Sequence, residues 1–283
     1  MAKMMADKEY ATPFSLLQAA RLLSHRSRLA KFEEALRRTV RGDSYVVDIG
    51  SGTGVLALMA AKAGARRVTA LDVNTESVEY ARRAAKENRL SDIVEFESLH
   101  FADFVPDEKA DVVICEMLSA IMLIEQQIPA SRHAVQQILA PDGVLLPHQV
   151  SVYVVPVECD AMGERFRVGD LQFEALPQTI DSDIVKDLSE IVGLVDFDLT
   201  RIQDSVHVDT EIEFVILEIG VVHGIVGMFE AQLYEEIVLR MDDGWRDLFL
   251  PLANPRQVVK DDLLRIRVEY TPGRYDSFTM KCL

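Results

Sequence analysis

Cysteine is scarce in this sequence of 283 residues: Cys115, Cys159 and Cys282 form an odd, scattered set. They have neither the spacing of a disulfide framework nor that of a zinc site, so no metal is expected. Such usage suits a reducing, cytoplasmic compartment. No apolar run approaches the ~20 residues of a membrane span, so no membrane partner is expected. The start, Met1 to Tyr10, is mixed polar with acids and lacks the pattern of a secretory signal. There is no internal repeat and no low-complexity tract. Basic residues are outnumbered, 30 Lys and Arg against 46 Asp and Glu, which leaves a net charge of −16. Binding to a phosphate backbone rests on Lys and Arg contacts, so an extended nucleic-acid surface is not expected. The same charge would steer a cationic partner, and it serves solubility equally well. What the chain has in quantity is apolar residues, 49%, enough for real cores. Its length holds one large or two ordinary domains.

One stretch organises the chain. Tyr45 to Ile49 is a short apolar run carrying Asp48, and Gly50, Gly52 and Gly54 follow at alternate positions. Val55 to Ala63 then reads as a helix. Strand, glycine turn and helix make the shape of a nucleotide-binding βα unit. Glycine tolerates positive φ and lets a ligand approach the bare backbone. A phosphate-binding P-loop would need Gly-Lys-Ser/Thr, but Val55 follows Gly54. A dinucleotide fingerprint would need G-x-G-x-x-G, but the spacing is G-x-G-x-G. The remaining reading is S-adenosylmethionine, with S-adenosylhomocysteine as its product. Asp48 would face the ammonium of the methionine end, while the turn amides of Gly50, Ser51, Gly52 and Gly54 would reach its carboxylate. The next strand ends in Asp72, followed by Val73, where an acid can accept from both ribose hydroxyls. The plainer alternative is a Gly-rich turn in an ordinary α/β protein.

Around this unit the pattern alternates. Strands are expected near 45–49, 67–71, 93–97, 111–115 and 143–146, and helices near 54–63, 75–88 and 128–139, with Pro141-Asp142-Gly143 as a turn before the fifth strand. This argues an α/β, doubly wound parallel sheet with its ligand at the carboxyl ends of the strands. Asp48, Asp72 and Glu116 fall at such ends. His100, Phe101 and Asp103 follow the third strand and would lie beside an adenine, or His100 and Asp103 are plain surface residues. Before the sheet, Pro13 to Arg38 reads as one or two helices, with a start at Thr12-Pro13. After Pro147 the pattern changes to successive strands, near 151–157, 210–219, 225–234, 263–270 and 277–281. That argues a mostly antiparallel, barrel-like β domain. The expected division is 1–40, a helical segment over the cofactor; 41–147, the cofactor domain; and 148–283, the β domain.

Asp48 to Gly54 resembles motif I of class I S-adenosylmethionine-dependent methyltransferases. Ala60-Ala61-Lys62-Ala63-Gly64-Ala65, Asp111 to Leu118, Glu125, Leu139 to Pro147 and, less closely, Gly244 to Leu252 resemble the protein arginine methyltransferases. That family carries two glutamates nine residues apart on one loop, a spacing that Glu116 and Glu125 match. The resemblance implies that Glu116 and Glu125 are catalytic and that an arginine on the N-terminal helix meets the cofactor carboxylate. Arg28 is the choice here and Arg26 the alternative. It also implies a β-barrel second domain and a dimerisation arm near 158–190, where the match is poor, so a homodimer is allowed. The chain departs from the family in two places. The aromatics that usually follow the first glutamate are replaced by Met117-Leu118-Ser119-Ala120. A Thr-His-Trp stretch reads Asp243-Gly244-Trp245, and the aspartate that pairs with that histidine aligns with His25. Trp245 then reads as a core residue of the β domain.

The chemistry of two glutamates follows from the acceptor. A guanidinium stays protonated below a pKa of about 12 and is a poor nucleophile. Two carboxylates would fix its plane by forked hydrogen bonds and draw positive charge from the reacting nitrogen. Facing each other without a ligand, they would repel, which would raise at least one pKa or splay the loop. The leading expectation is an N-methyltransferase acting on a guanidino or similar nitrogen, in a cationic protein or a small molecule. A methyltransferase of the same fold acting on an RNA base or small metabolite is the second expectation. A cofactor-binding protein without activity is the third.

Overall fold

A computed structural model of the chain describes residues 10–283, apart from Thr12, 181–183 and Gln203. The first sheet is parallel, with the order β3-β2-β1-β4-β5. Its strands are β1 (Tyr45–Ile49), β2 (Arg67–Asp72), β3 (Val94–Ser98), β4 (Ala110–Cys115) and β5 (Leu139–Leu146). β1 lies at the centre, and all five of its residues are buried, Asp48 included. A central strand is covered on both faces, which is why it reads as a continuous apolar run and not an alternation. The strand order reverses beside β1, and ligands bind at such a switch point.

Helices α1 (Leu16–Arg21) and α2 (Arg26–Thr39) precede the sheet. The expected start at Thr12-Pro13 is displaced: Thr12 lies outside the described residues, and the helix begins after Ser15, which forms a reciprocal cap with Gln18. Helices α3 (Val55–Lys62), α4 (Thr75–Glu87) and α5 (Gln127–His133) follow β1, β2 and β4. α5 runs on through a π-helical turn, Ala134–Ile138, straight into β5. Pro141-Asp142-Gly143 is therefore not a turn before the fifth strand but part of it. The pairing register with β4 shifts between Ala110 and Val112 to admit it.

The second half is antiparallel. β6 (Gln149–Glu158), β13 (Gly220–Tyr234) and β15 (Asp247–Val258) form the spine of a seven-stranded sheet. β9 (Gln178–Ile180), β10 (Lys186–Asp187), β11 (Val192–Asp198) and β14 (Ile237–Arg240) complete it. A three-stranded sheet joins β12 (Val208–Val215), β16 (Leu263–Tyr270) and β17 (Thr279–Cys282). The segment of poor match holds a short helix, α6 (Asp160–Arg165), and a small hairpin, β7 (Arg167–Val168) with β8 (Leu171–Gln172). β11 and β15 escaped the sequence reading. β15 contains Pro251 and Pro255, which argue against a strand. It is accommodated because Pro251 faces Gly224 next to a register shift, and a Cβ on Gly224 would lie 2.3 Å from the Leu250 carbonyl oxygen.

One buried core runs through both halves, from Leu29 on α2 to Tyr270 on β16. They are keyed together at Gly227 of β13, where a Cβ would lie 2.3 Å from Ile121 Cγ2. Ile121 sits in the loop between β4 and α5, so the β half grips the element that carries both glutamates.

Candidate active site

A cleft of about 270 Å³ opens over the carboxyl ends of β1, β2 and β4. Arg28, Gly50, Ser51, Gly52, Asp72, Val73, His100, Phe101, Glu116 and Glu125 line it. Three residues proposed from the sequence do not. Asp48 lies behind the wall, 1% exposed. Asp103 is exposed outside it. Gly54 is the left-handed cap of α3, and a Cβ there would lie 2.7 Å from Phe96 and 2.9 Å from Ala81. Gly54 thus allows helix α3 to pack on β3 and α4; it gives no ligand an approach.

The turn amides are also employed differently from the expectation. Gly50 and Ser51 donate to the Leu71 carbonyl at 2.8 and 2.9 Å, and Gly54 donates to Ser51 at 2.7 Å. Gly52 N–H donates to Asp72 Oδ2 at 2.7 Å, and Asn74 N–H to Asp72 Oδ1 at 2.8 Å. These bonds tie the glycine turn to β2, so its amides are already engaged. Arg28 lines the same cleft. It is 4% exposed, and its Nε and Nη1 have no hydrogen-bond partner among the described residues. Asp48 Oδ2, Ser51 Oγ and Ser77 Oγ are buried without partners in the same way. Unpaired buried donors and acceptors of both signs fit a ligand end that bears a carboxylate and an ammonium. Burial pushes the Asp48 carboxyl up to about 7; the nearby Asp72 adds to this, while the Ala57 amide and Arg28 oppose it. Burial likewise raises Asp72 against the two backbone N–H groups.

Glu116 follows the last residue of β4 and ion-pairs with Arg28 Nη2, the Glu116 side chain being 8% exposed. Its Oε1 accepts from Leu118 N–H at 3.3 Å. Glu125 is set by Ser119, whose Oγ accepts from the Ile124 and Glu125 amides at 3.2 and 3.1 Å. Gln127 Oε1 accepts from Met117 N–H at 2.8 Å. Burial pushes the Glu125 carboxyl up to about 8, opposed by Arg28. The rise expected from mutual repulsion thus has another cause, because a guanidinium already stands by the pair. Burial in turn lowers Arg28 to about 10, opposed by Glu125 and Asp48.

Several cleft residues escaped the sequence reading. Trp245, the one tryptophan, is no plain core residue. It packs edge-on against Phe229 at 5.2 Å and lies 5.7 Å from the Arg28 guanidinium. Its Nε1 donates to the Leu118 carbonyl at 3.0 Å, and its free edge lines the cleft. Met117, Leu118 and His25 join it. Their signal was the departure of this stretch from the family pattern, which marked the place without saying what fills it. Phe14 closes the other end, its carbonyl accepting from Asn74 Nδ2 at 2.7 Å.

A family model described as ribosomal protein L11 methyltransferase (PrmA) matches residues 33–146. Protein arginine N-methyltransferase PRMT10 of Oryza sativa subsp. japonica is 34% identical over 165 residues, 55% of this chain and 43% of that protein. An arginine N(omega)-methyltransferase of Streptomyces achromogenes subsp. streptozoticus is 29% identical over 196 residues, 64% of this chain and 54% of that protein. The chain thus spans about half the length of these relatives. Among solved structures, the Trypanosoma brucei PRMT1 enzyme-prozyme heterotetrameric complex with AdoHcy superposes with a TM-score of 0.78 at 23% identity, over 92% of this chain and 91% of that one. The fold is that of a class I S-adenosylmethionine-dependent methyltransferase. Within that class the chain resembles the protein arginine methyltransferases, in sequence over 55–64% of its length and in fold over 92%.

Proposed function

We propose that the chain is an S-adenosylmethionine-dependent N-methyltransferase whose acceptor is a guanidino or similar cationic nitrogen held by Glu116 and Glu125. The observation that carries this reading is that the glutamate loop already accommodates a guanidinium. Arg28 is paired with Glu116, feels the field of Glu125 and lies by the ring of Trp245. Arg28 and Ser51 would meet the amino-acid end of the cofactor, and Asp72, whose two oxygens each keep a free lone pair, the ribose. When bound, the cofactor supplies an activated methyl group. The chain does the rest by positioning. Arg28 would turn toward the cofactor carboxylate and free one oxygen of Glu116. Glu125, ionising as a cation arrives, would complete a two-carboxylate clamp that holds the acceptor plane and draws positive charge from the reacting nitrogen. The Streptomyces relative is named for arginine and the rice relative for protein arginine, so free arginine and a basic protein are both acceptors to try.

Radiolabelled methyl transfer into a lysate, separated into protein, RNA and small-molecule fractions, tests the reading. Label in protein or in arginine supports it. Label in RNA alone, or none with S-adenosylhomocysteine bound, overturns it in favour of the base methyltransferase or of a binding protein without activity. Asp72→Ala should weaken S-adenosylhomocysteine binding by at least about ten-fold, the equivalent of one charge-assisted hydrogen bond. Calorimetry finding unchanged affinity would remove Asp72 from the ribose.

The hairpin of β7 and β8 and the chain after it leave Val168, Leu171, Phe173 and Leu176 exposed, between 54 and 62%. A cluster of this kind suits contact with a second copy of the chain. A homodimer is therefore proposed, and Leu171→Asp with Phe173→Asp should shift sedimentation to the monomer.

A further inference from the structure

Of the residues around the cleft, His25 stands out because its imidazole makes no hydrogen bond among the described residues. It occupies the N-cap position of α2, where Ser, Thr, Asp or Asn would accept from a first-turn amide. The His25 imidazole makes no such bond, and its nitrogens have no hydrogen-bond partner among the described residues. Only its backbone serves the helix, by accepting from Leu29 N–H at 3.1 Å. The ring projects into the cleft wall against Gly244, where a Cβ would lie 2.1 Å from its Nδ1. Gly244 has a φ of 133°, a conformation other residues rarely adopt, so this wall is bare at the one place the imidazole needs room.

Burial and the charges around the ring favour its neutral form. Burial, then Arg28 and Arg21, lower its pKa from the ordinary histidine value. Asp243, beside Gly244, is turned away: its carboxylate is taken up by Ser27, by Lys31 at 2.6 Å and by the Arg240 amide at 2.8 Å. The other charged groups on the cleft wall are Asp72, Glu116, Glu125 and Arg246. A neutral imidazole offers one nitrogen as an acceptor and the other as a donor.

We infer that His25 is a specificity-determining residue, a hydrogen-bond acceptor for an N–H of a guanidinium that the two glutamates leave unpaired. The count of donors supports this. A singly substituted guanidinium has five N–H groups, and two carboxylates in forked contacts take at most four. Glu116 is further committed, since Oε1 already accepts from Leu118 N–H. Trp245 and Leu118 join His25 to the glutamates as one continuous wall. An acceptor with fewer N–H groups, such as a simple ammonium, has nothing left to give the imidazole and is selected against. The inference rests on the guanidino reading above.

The test is calorimetry of the full chain saturated with S-adenosylhomocysteine, with free L-arginine and an arginine-containing basic peptide as probes. His25→Ala should weaken binding of both by roughly ten-fold, the loss of one hydrogen bond to a charged group. His25→Gln, which keeps an acceptor, should stay within about three-fold of wild type. Gly244→Ala, whose Cβ displaces the ring, should behave as His25→Ala does. S-adenosylhomocysteine affinity should be unchanged throughout, and arginine should shift one imidazole ¹⁵N signal that His25→Gln removes. Arginine binding that survives His25→Ala overturns this inference alone, as does a parallel loss of cofactor affinity, which would make His25 a support of α2. Failure of the wild type to bind either probe overturns the guanidino reading, and this inference with it.

Discussion

Glu125 is a carboxyl held at about 8 by burial, on the loop that begins with Glu116 and faces Arg28 of α2. Its folded-state value lies above the ordinary 4.5, so the folded chain holds the proton more tightly than the unfolded chain does. Stability should therefore be greatest below about pH 4.5 as far as this group is concerned, and fall as pH rises through 8. Glu125→Gln should flatten that decline in melting temperature, measured without ligand between pH 5 and 9. A cation bound between the glutamates reverses the preference, so acceptor binding near pH 7 should release a proton. Calorimetry in buffers of different ionisation enthalpy should detect that release in the wild type and not in Glu125→Gln. Glu116 is the poorer residue for such work. Its removal leaves Arg28 buried without its partner, which costs about 3–5 kcal/mol by precedent for broken buried pairs. Glu116→Gln should lower both the melting temperature and turnover, whereas Glu125→Gln should lower turnover with little loss of cofactor affinity.

The loop from Glu116 to Glu125 is held from outside itself. Ile121 and Met122 have φ of 51° and 57°, a region costly for a β-branched residue. Such strain is of the order of 1–3 kcal/mol per residue and persists only where the surroundings over-determine it. Those surroundings belong to the β half: Gly227 beneath Ile121, Gly273 N–H donating to Met122 at 2.9 Å, and Trp245 donating to Leu118. Gly227→Ala should therefore destabilise the chain by about 1–3 kcal/mol through overpacking and misplace both glutamates. The expected result is lower methyl transfer with retained S-adenosylhomocysteine affinity, because the glycine turn is tied to β2 and not to this loop. Trp245→Phe keeps an aromatic ring, though a smaller one, and removes the indole N–H, worth about 0.5–1.5 kcal/mol, and should give the same pattern more weakly.

Over the whole molecule, a net charge of −16 should act on the rate of encounter with a cationic acceptor. At 0.15 M salt the Debye length is about 8 Å, so this steering fades quickly as salt is added. The kcat/KM for a multiply charged basic peptide should fall steeply between low and physiological salt, while that for free arginine, with a single net positive charge, should fall much less. Equal salt dependence for the two would assign the charge to solubility.

The parallel sheet, the glycine turn and the change to antiparallel strands after Pro147 were legible in the residues because each has a local cause. Buried central strands read as apolar runs, glycines mark positive φ, and period-two patterns belong to strands that are open on one face. The placement of Asp48, Asp72 and Glu116 at the ends of adjacent strands followed from the same local pattern. What the sequence could not show is which of these groups face one another. Nothing local indicates that Asp48 stands behind the cleft, that Gly54 packs on Phe96, or that the Gly50 and Ser51 amides are taken up by Leu71. The pairing of Arg28 with Glu116 joins residues 88 apart, and that of Trp245 with Leu118 joins residues 127 apart. The first depends on how α2 packs over the sheet and the second on how the β half closes on the glutamate loop; a side chain's partner across such interfaces is decided by packing, not by its neighbours in the chain. His25 is the clearest case: by position it is a helix cap, and only the bare backbone of Gly244 opposite turns it toward the cleft.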